Sequence, residues 1–168
     1  MTEEEQRSES YLKDWEENGV WLQLSTCIKI AAERHEHQLD KSGKPYILHP
    51  LKVMSHFTDP KDMMAAILHD IIEDTPVTID DLYGYGIPYD VVTTVIALSR
   101  REGETVKEYY ARIKKDERAV RVKMRDLEHN IDVLRFKRLL RKEDISRLKM
   151  YHQKHLELWE VENEVQSK

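Results

Sequence analysis

Four polar side chains, His69, Asp70, Glu73 and Asp74, crowd into the run AAILHDIIEDT at residues 65–75, among Ile67, Leu68, Ile71 and Ile72. At helical spacing Met64, Ile67, Leu68, Ile71 and Ile72 form one apolar stripe, and the four polar residues fall on the opposite arc. Asp59-Pro60 supplies an N-cap and a first helical residue, and Pro76 lies just past the other end. Three acids therefore gather at the negative end of a helix dipole, where each costs a few tenths of a kcal/mol up to about 1 kcal/mol. They also repel one another. A divalent cation held by His69 and Asp70, with further ligands from elsewhere in the chain, offsets that cost. The alternative, commoner for a single acidic cluster, is a solvated surface face.

Two segments can supply the remaining ligands. His49 precedes Pro50 and reads as the N-cap of a helix over PLKVMSHF. Asp126 and Asn130 are four residues apart on one helix face, with Lys123 beside them. Taken alone, each is an ordinary polar position. In chain order His49, His69-Asp70 and Asp126 make a mixed set of two imidazoles and two carboxylates, which suits Mn²⁺, Fe²⁺ or Zn²⁺ more than Ca²⁺ or Mg²⁺. An ion that accepts more than four ligands keeps room for water and a substrate oxygen. Glu73 lies one turn beyond His69 and Asp74 is next to it. Two carboxylates beside a cation are expected to differ in proton affinity, so that one acts as base while the other orients or donates. The other histidines, His35, His37, His56, His129, His152 and His155, read mostly as surface residues, with His35 and His129 near the proposed site segments.

Composition narrows the classes. The 168 residues suffice for one domain with a proper core. With 27 Lys+Arg against 32 Asp+Glu, the net charge of −5 argues against sequence-independent nucleic-acid binding. Cys27 is the only cysteine, which excludes an internal disulfide and fits a reducing cytoplasm. The opening MTEEEQRSES is acidic and polar, unlike a signal peptide, and no apolar run reaches the length of a membrane span. A cytoplasmic protein without membrane or nucleic-acid partners is expected; oligomeric state is left open.

The elements that must position these residues read as helices. Residues 1–10 are an extension or a frayed end. VWLQLSTCIKIAAERHEHQ places Leu24, Ile28, Ala31 and Ala32 on one face, and LDKSGKPYILHP follows as a loop. TIDD at 78–81 starts a short helix that YGYGIP breaks. Pro88 opens a buried helix over YDVVTTVIALS, and TVKE at 105–108 is a capping box before YYARIKK. ERAVRVKMRDLEHNIDVLRF carries Val120, Met124, Leu127, Ile131 and Leu134 on its apolar face. From Asp144 to about Glu162, Ile145, Leu148, Tyr151, His155 (or Leu156) and Trp159 fall near one stripe. The sum is a single compact all-α bundle of six to eight helices over 1–168, with a core of about 20–140 and a C-terminal helix of about 144–162 that packs on the core or on a second copy.

Three segments in one order, KSGKPYILHPLKV (41–53), AAILHDIIEDT (65–75) and VKMRDLEHNI (122–131), resemble the HD-domain metal-dependent phosphohydrolases. Among them the chain is most similar to the hydrolase domain of RelA/SpoT-type enzymes and to the single-domain small alarmone hydrolases, from about residue 25 to 135. The resemblance implies His49, His69, Asp70 and Asp126 as ligands of one Mn²⁺ ion. It implies Glu73 and Asp74 as the residues that position or deprotonate the attacking water. It further implies that Lys41 and Ser42 line the nucleotide pocket and that Asn130 helps hold the sugar; Lys123 is expected to join this substrate-binding set. The implied reaction removes the 3′-pyrophosphate of guanosine tetra- or pentaphosphate, giving GDP or GTP and pyrophosphate. Three residues depart from the family pattern: Asp40 where a basic residue is usual, His37 for Gly and Leu127 for Arg. A carboxylate at position 40 cannot stack as a cation on a base and repels polyphosphate. The alternatives are an HD-type nucleotidase or phosphatase acting on a nucleoside monophosphate, dNTP or NADPH, and a non-catalytic metal- or nucleotide-binding domain.

Overall fold

A computed structural model describes residues 3–136 and 138–166, with side chains placed over 19–136 and 138–164. The chain runs α1 (Glu3–Arg34), α2 (Leu48–Met54), α3 (Pro60–Leu68), α4 (Ile71–Asp74), α5 (Ile79–Gly84), α6 (Tyr89–Leu98), α7 (Val106–Ile113), α8 (Glu117–Ile131), a 3-10 turn (Val133–Arg135) and α9 (Lys142–Gln166). The expected all-α fold holds, with no strand among the described residues. None of these helices is long and apolar enough to cross a membrane. Of the N-terminal extension, Met1 and Thr2 lie outside the described residues; from Glu3 onward it is helix.

α3 is the centre. Met64, Ala65, Ala66, Ile67 and Leu68 are all buried, so the second half of the helix is enclosed on every side. α1, α2, α6 and α8 pack around it, and α9 lies along α8. Two of the expected caps form where sequence placed them. Asp59 accepts from the amides of Lys61 and Asp62 ahead of Pro60, and Thr105 with Glu108 closes a capping box. Buried Asp62 then clamps α3 to α8. Its Oδ1 lies 2.8 Å from Arg118 Nε and its Oδ2 2.8 Å from Arg121 Nη2.

Five local expectations shift. The helix after Asp59 breaks at His69-Asp70, splitting into α3 and α4. The His69 ring takes the Ala66 carbonyl at 2.7 Å, the acceptor an unbroken helix gives to the Asp70 amide. α2 starts at Leu48, which puts His49 inside its first turn and not at an N-cap. Pro50 fits there because the first four helical amides have no intrahelical acceptor anyway. The inward face of α1 is Leu24, Cys27, Ile30 and Ala31, and Ala32 is exposed. α8 ends at Ile131, since Asp132 leaves helical geometry and its carboxylate takes the Leu134 amide; Leu134 is 88% exposed. On α9 the inward stripe runs Leu148, Tyr151, Leu158 and Val161, leaving Ile145 and Trp159 exposed.

Candidate active site

The break in the α3–α4 segment turns His69 and Asp70 toward two residues that are distant in sequence. His69 Nε2 lies 2.9 Å from Asp70 Oδ2 and 3.7 Å from Asp126 Oδ1. His49, from the first turn of α2, puts Nε2 3.1 Å from Asp126 Oδ1 and 3.6 Å from Asp70 Oδ2. All four expected ligands thus meet, and donor atoms of His49, His69 and Asp70 lie within 4.8 Å of one another.

The donor chemistry tests whether a cation fits. The Ala66 carbonyl must receive a proton, so His69 Nδ1 carries the hydrogen and Nε2 keeps a lone pair. That Nε2 is buried without a hydrogen-bond partner and faces carboxylate oxygens. Lone pairs opposed in this way need a positive charge between them, and a divalent metal supplies it. A proton is the substitute. Burial opposes a charge on His69, but the Asp70 and Asp126 carboxylates outweigh it and raise the imidazole to about 10. Burial likewise opposes ionisation of Asp126, while Lys123 and the two imidazoles hold its carboxyl well below the usual range.

Each ligand has a partner behind it. The Tyr46 hydroxyl donates to Asp70 Oδ2. Asn130 Nδ2 donates to Asp126 Oδ1 at 2.6 Å, and Lys123 Nζ lies 2.7 Å from Asp126 Oδ2. Asn130 and Lys123, expected to bind substrate, are therefore both committed to Asp126, although each also lines the cavity.

That cavity has a volume of about 670 Å³ and opens onto His49, Asp70 and Asp126. Lys41, Ser42 and Asp74 line it as well. Glu73 does not. Its Oε1 accepts the Arg100 amide at 2.6 Å, and it lines a separate shallow pocket with residues 100–105. Burial raises the proton affinity of both acids, and the Asp70 charge adds to it at each. The pair thus shifts in one direction and differs in where each carboxylate points.

Of the three departures from the family pattern only Asp40 reaches the cavity; His37 is exposed and Leu127 is buried in the core. Asp40 is also not a loose negative charge. Its Oδ1 accepts from the Ser42 amide (2.8 Å), the Ser42 hydroxyl (2.7 Å) and the Lys44 amide (2.9 Å). Its Oδ2 pairs with Arg135 Nη2 at 3.3 Å. Against the effect of burial, these donors hold its carboxyl below the usual range. The two histidines set apart in the sequence for lying near the site segments both turn inward. His35 is buried against Gln38 and Tyr46, and His129 meets His49.

Sequence reasoning missed Arg135, Arg138, Arg147 and Tyr151, which line the cavity from the α8–α9 connection and from α9. The available signal was RFKRLLRK at 135–142, a basic run in an acidic chain.

No family model matches the chain. Among curated proteins it is 36% identical over 125 residues to a probable GTP pyrophosphokinase of Mycobacterium leprae, covering 67% of this chain and 16% of that protein. It is 30% identical over 151 residues to the guanosine-3′,5′-bis(diphosphate) 3′-pyrophosphohydrolase of Spiroplasma citri, covering 82% of this chain and 20% of that protein. It is 33% identical over 126 residues to the bifunctional (p)ppGpp synthase/hydrolase SpoT of Escherichia coli, covering 66% and 18% respectively. The chain therefore spans no more than 20% of the length of any of these three. A solved structure described as a metazoan ortholog of SpoT that hydrolyzes ppGpp shares the fold, with a TM-score of 0.66 at 22% identity over 86% of this chain and 92% of that one.

Proposed function

The chain belongs to the HD-domain group that includes the hydrolase domains of RelA/SpoT-type proteins, and on that premise we propose that it is a Mn²⁺-dependent nucleotide pyrophosphohydrolase. The substrate proposed is guanosine tetra- or pentaphosphate, cleaved at the 3′-pyrophosphate to GDP or GTP and pyrophosphate. The curated relatives include both pyrophosphokinases and a pyrophosphohydrolase. What favours hydrolysis here is one observation: the unpartnered His69 Nε2, buried beside His49, Asp70 and Asp126, which line a cavity large enough for a nucleotide.

His49, His69, Asp70 and Asp126 would hold the ion. When bound, it neutralises a phosphate oxygen and lowers the pKa of water at the site. The chain's own residues do the rest. Asp74 faces the cavity with a raised proton affinity, which suits it to accept the proton of the attacking water. Glu73 is pinned by the Arg100 amide and orients the α4 turn from behind. Lys41 and Ser42 meet the substrate from the cavity lining, with Asn130 and Lys123 keeping Asp126 in place. The cytoplasm is the compartment proposed.

A second reading, an HD-type phosphatase acting on another nucleotide, draws on the carboxylate of Asp40 at the cavity wall. A substrate panel separates the two. Manganese-loaded protein is expected to release pyrophosphate from guanosine 3′,5′-bispyrophosphate. Orthophosphate from a monoester selects the second reading, and release of neither product from any nucleotide overturns both.

A further inference from the structure

His49 Nδ1 lies 2.6 Å from His129 Nδ1, so one of the two nitrogens donates and the other accepts. Arg135 decides which. Its Nη1 donates to the His129 carbonyl at 2.9 Å and lies 3.2 Å from His129 Nδ1. A guanidinium has donors only, so His129 Nδ1 must be the acceptor. The proton between the rings therefore sits on His49 Nδ1, and in the neutral, metal-binding form of the ring His49 Nε2 is left with a lone pair 3.1 Å from Asp126 Oδ1. Ring geometry agrees. The centroids are 4.9 Å apart with planes 15° from parallel. That separation is the 2.6 Å link plus one ring radius at each end, so the imidazoles meet edge to edge in one plane.

We infer that His129 is the positioning residue of His49, and that Arg135 extends this link to the loop carrying Lys41 and Ser42. The inference rests on the metal reading above and adds residues to it. The path is continuous. Arg135 Nη2 reaches Asp40 Oδ2 at 3.3 Å, and Asp40 Oδ1 organises the Ser42 and Lys44 amides and the Ser42 hydroxyl. His129 sits on α8 three residues past Asp126, so the same helix supplies a ligand and the group that orients another. A ligand imidazole whose outer N–H loses its acceptor turns more freely and binds metal less tightly, typically by about 10–100-fold.

The test needs no substrate. Manganese affinity is measured by calorimetry for the wild type, His129→Leu and His129→Asn. Leucine removes the acceptor; asparagine places an oxygen close to where Nδ1 was. His129→Leu is expected to weaken binding about 10–100-fold, and His129→Asn to restore most of it. In zinc-loaded protein labelled with ¹⁵N-histidine, the His49 Nδ1–H signal is expected far downfield, to move upfield in His129→Leu and to return in His129→Asn. General loss of packing does not produce that pattern. Should His129→Leu fail to fold, Arg135→Met reports instead, because removing the donor that competes for the His129 lone pair shifts the same signal. Unchanged affinity and an unmoved signal in a folded variant overturn the inference and leave the functional reading intact. A wild type that binds no metal overturns both.

Discussion

The cavity has two walls built on different principles. The inner wall, His49, Asp70 and Asp126 with His69 buried behind them, is held by dedicated partners: Ala66, Tyr46, Lys123, Asn130 and His129. The outer wall is made of long side chains. Lys41, Arg135, Arg138 and Arg147 reach in from loops and the start of α9, and Arg138 and Arg147 share the buried carboxylate of Asp144. Groups with one allowed position define a reaction centre. Groups on flexible stems supply positive potential and adapt to the ligand. The two walls should therefore fail differently when perturbed.

The sharpest break is Asp126→Ala. It removes a proposed ligand and strands the buried Lys123 ammonium, so metal binding is expected to disappear and stability to fall by about 3–5 kcal/mol, read by calorimetry and urea unfolding. Retention of both would mean the inner wall is not a unit. Next come the two acids. Asp74→Asn is expected to lower kcat by about 10²–10⁴-fold with metal affinity kept, as for loss of a general base. Glu73→Gln is expected to cost less, because its carboxylate points to the Arg100 amide. The reverse order would hand the proton transfer to Glu73.

Smaller effects belong to the outer wall. Arg147→Gln is expected to raise KM several-fold with little change in kcat, and the difference from wild type should shrink as salt screens the exposed charges. Acid gives the last separation. Arg138 and the Arg141 amide hold Asp144 at about 2, down from 3.8, and Arg112 holds Glu104 at about 2, down from 4.5. Both folded values are depressed, so the unfolded chain binds more protons. Their stabilisation is complete above about pH 4.5 and is lost as pH falls toward 2. Proteolysis or hydrogen exchange over that range should therefore show the 138–147 segment and the 100–105 loop loosening, whereas Asp144→Asn should remove the first of these pH dependences only.

The same contrast explains what was readable in sequence. His49, His69-Asp70 and Asp126 sit in short segments where donor type and order already imply one centre. The caps at Asp59 and Thr105 were equally visible because a cap is settled within four residues. The break at Asp70 was not, since it depends on a ring bonding the Ala66 carbonyl, a choice that helical periodicity does not register. The inward roles of His129 and Arg135 were also hidden. Each is set by a partner many residues away, 80 for His129 with His49 and 95 for Arg135 with Asp40. The inward face of α9 was misjudged for a similar reason: Ile145 and Trp159 lie beside the correct stripe, and only the docking on α8 chooses between neighbouring arcs.

The Asp62 clamp has a metric consequence. Asp62 precedes Asp70 by 70 − 62 = 8 residues, and its partner Arg118 precedes Asp126 by 126 − 118 = 8. Measured from that ion pair, the two carboxylates stand at equal rungs, roughly 12 Å along their segments. A slip of α8 by one turn carries Asp126 about 5.4 Å off level, farther than any gap within the cluster. An interaction two turns along the same pair of segments thus serves as a vernier stop, and the fold's tolerance for error at the candidate site is decided there.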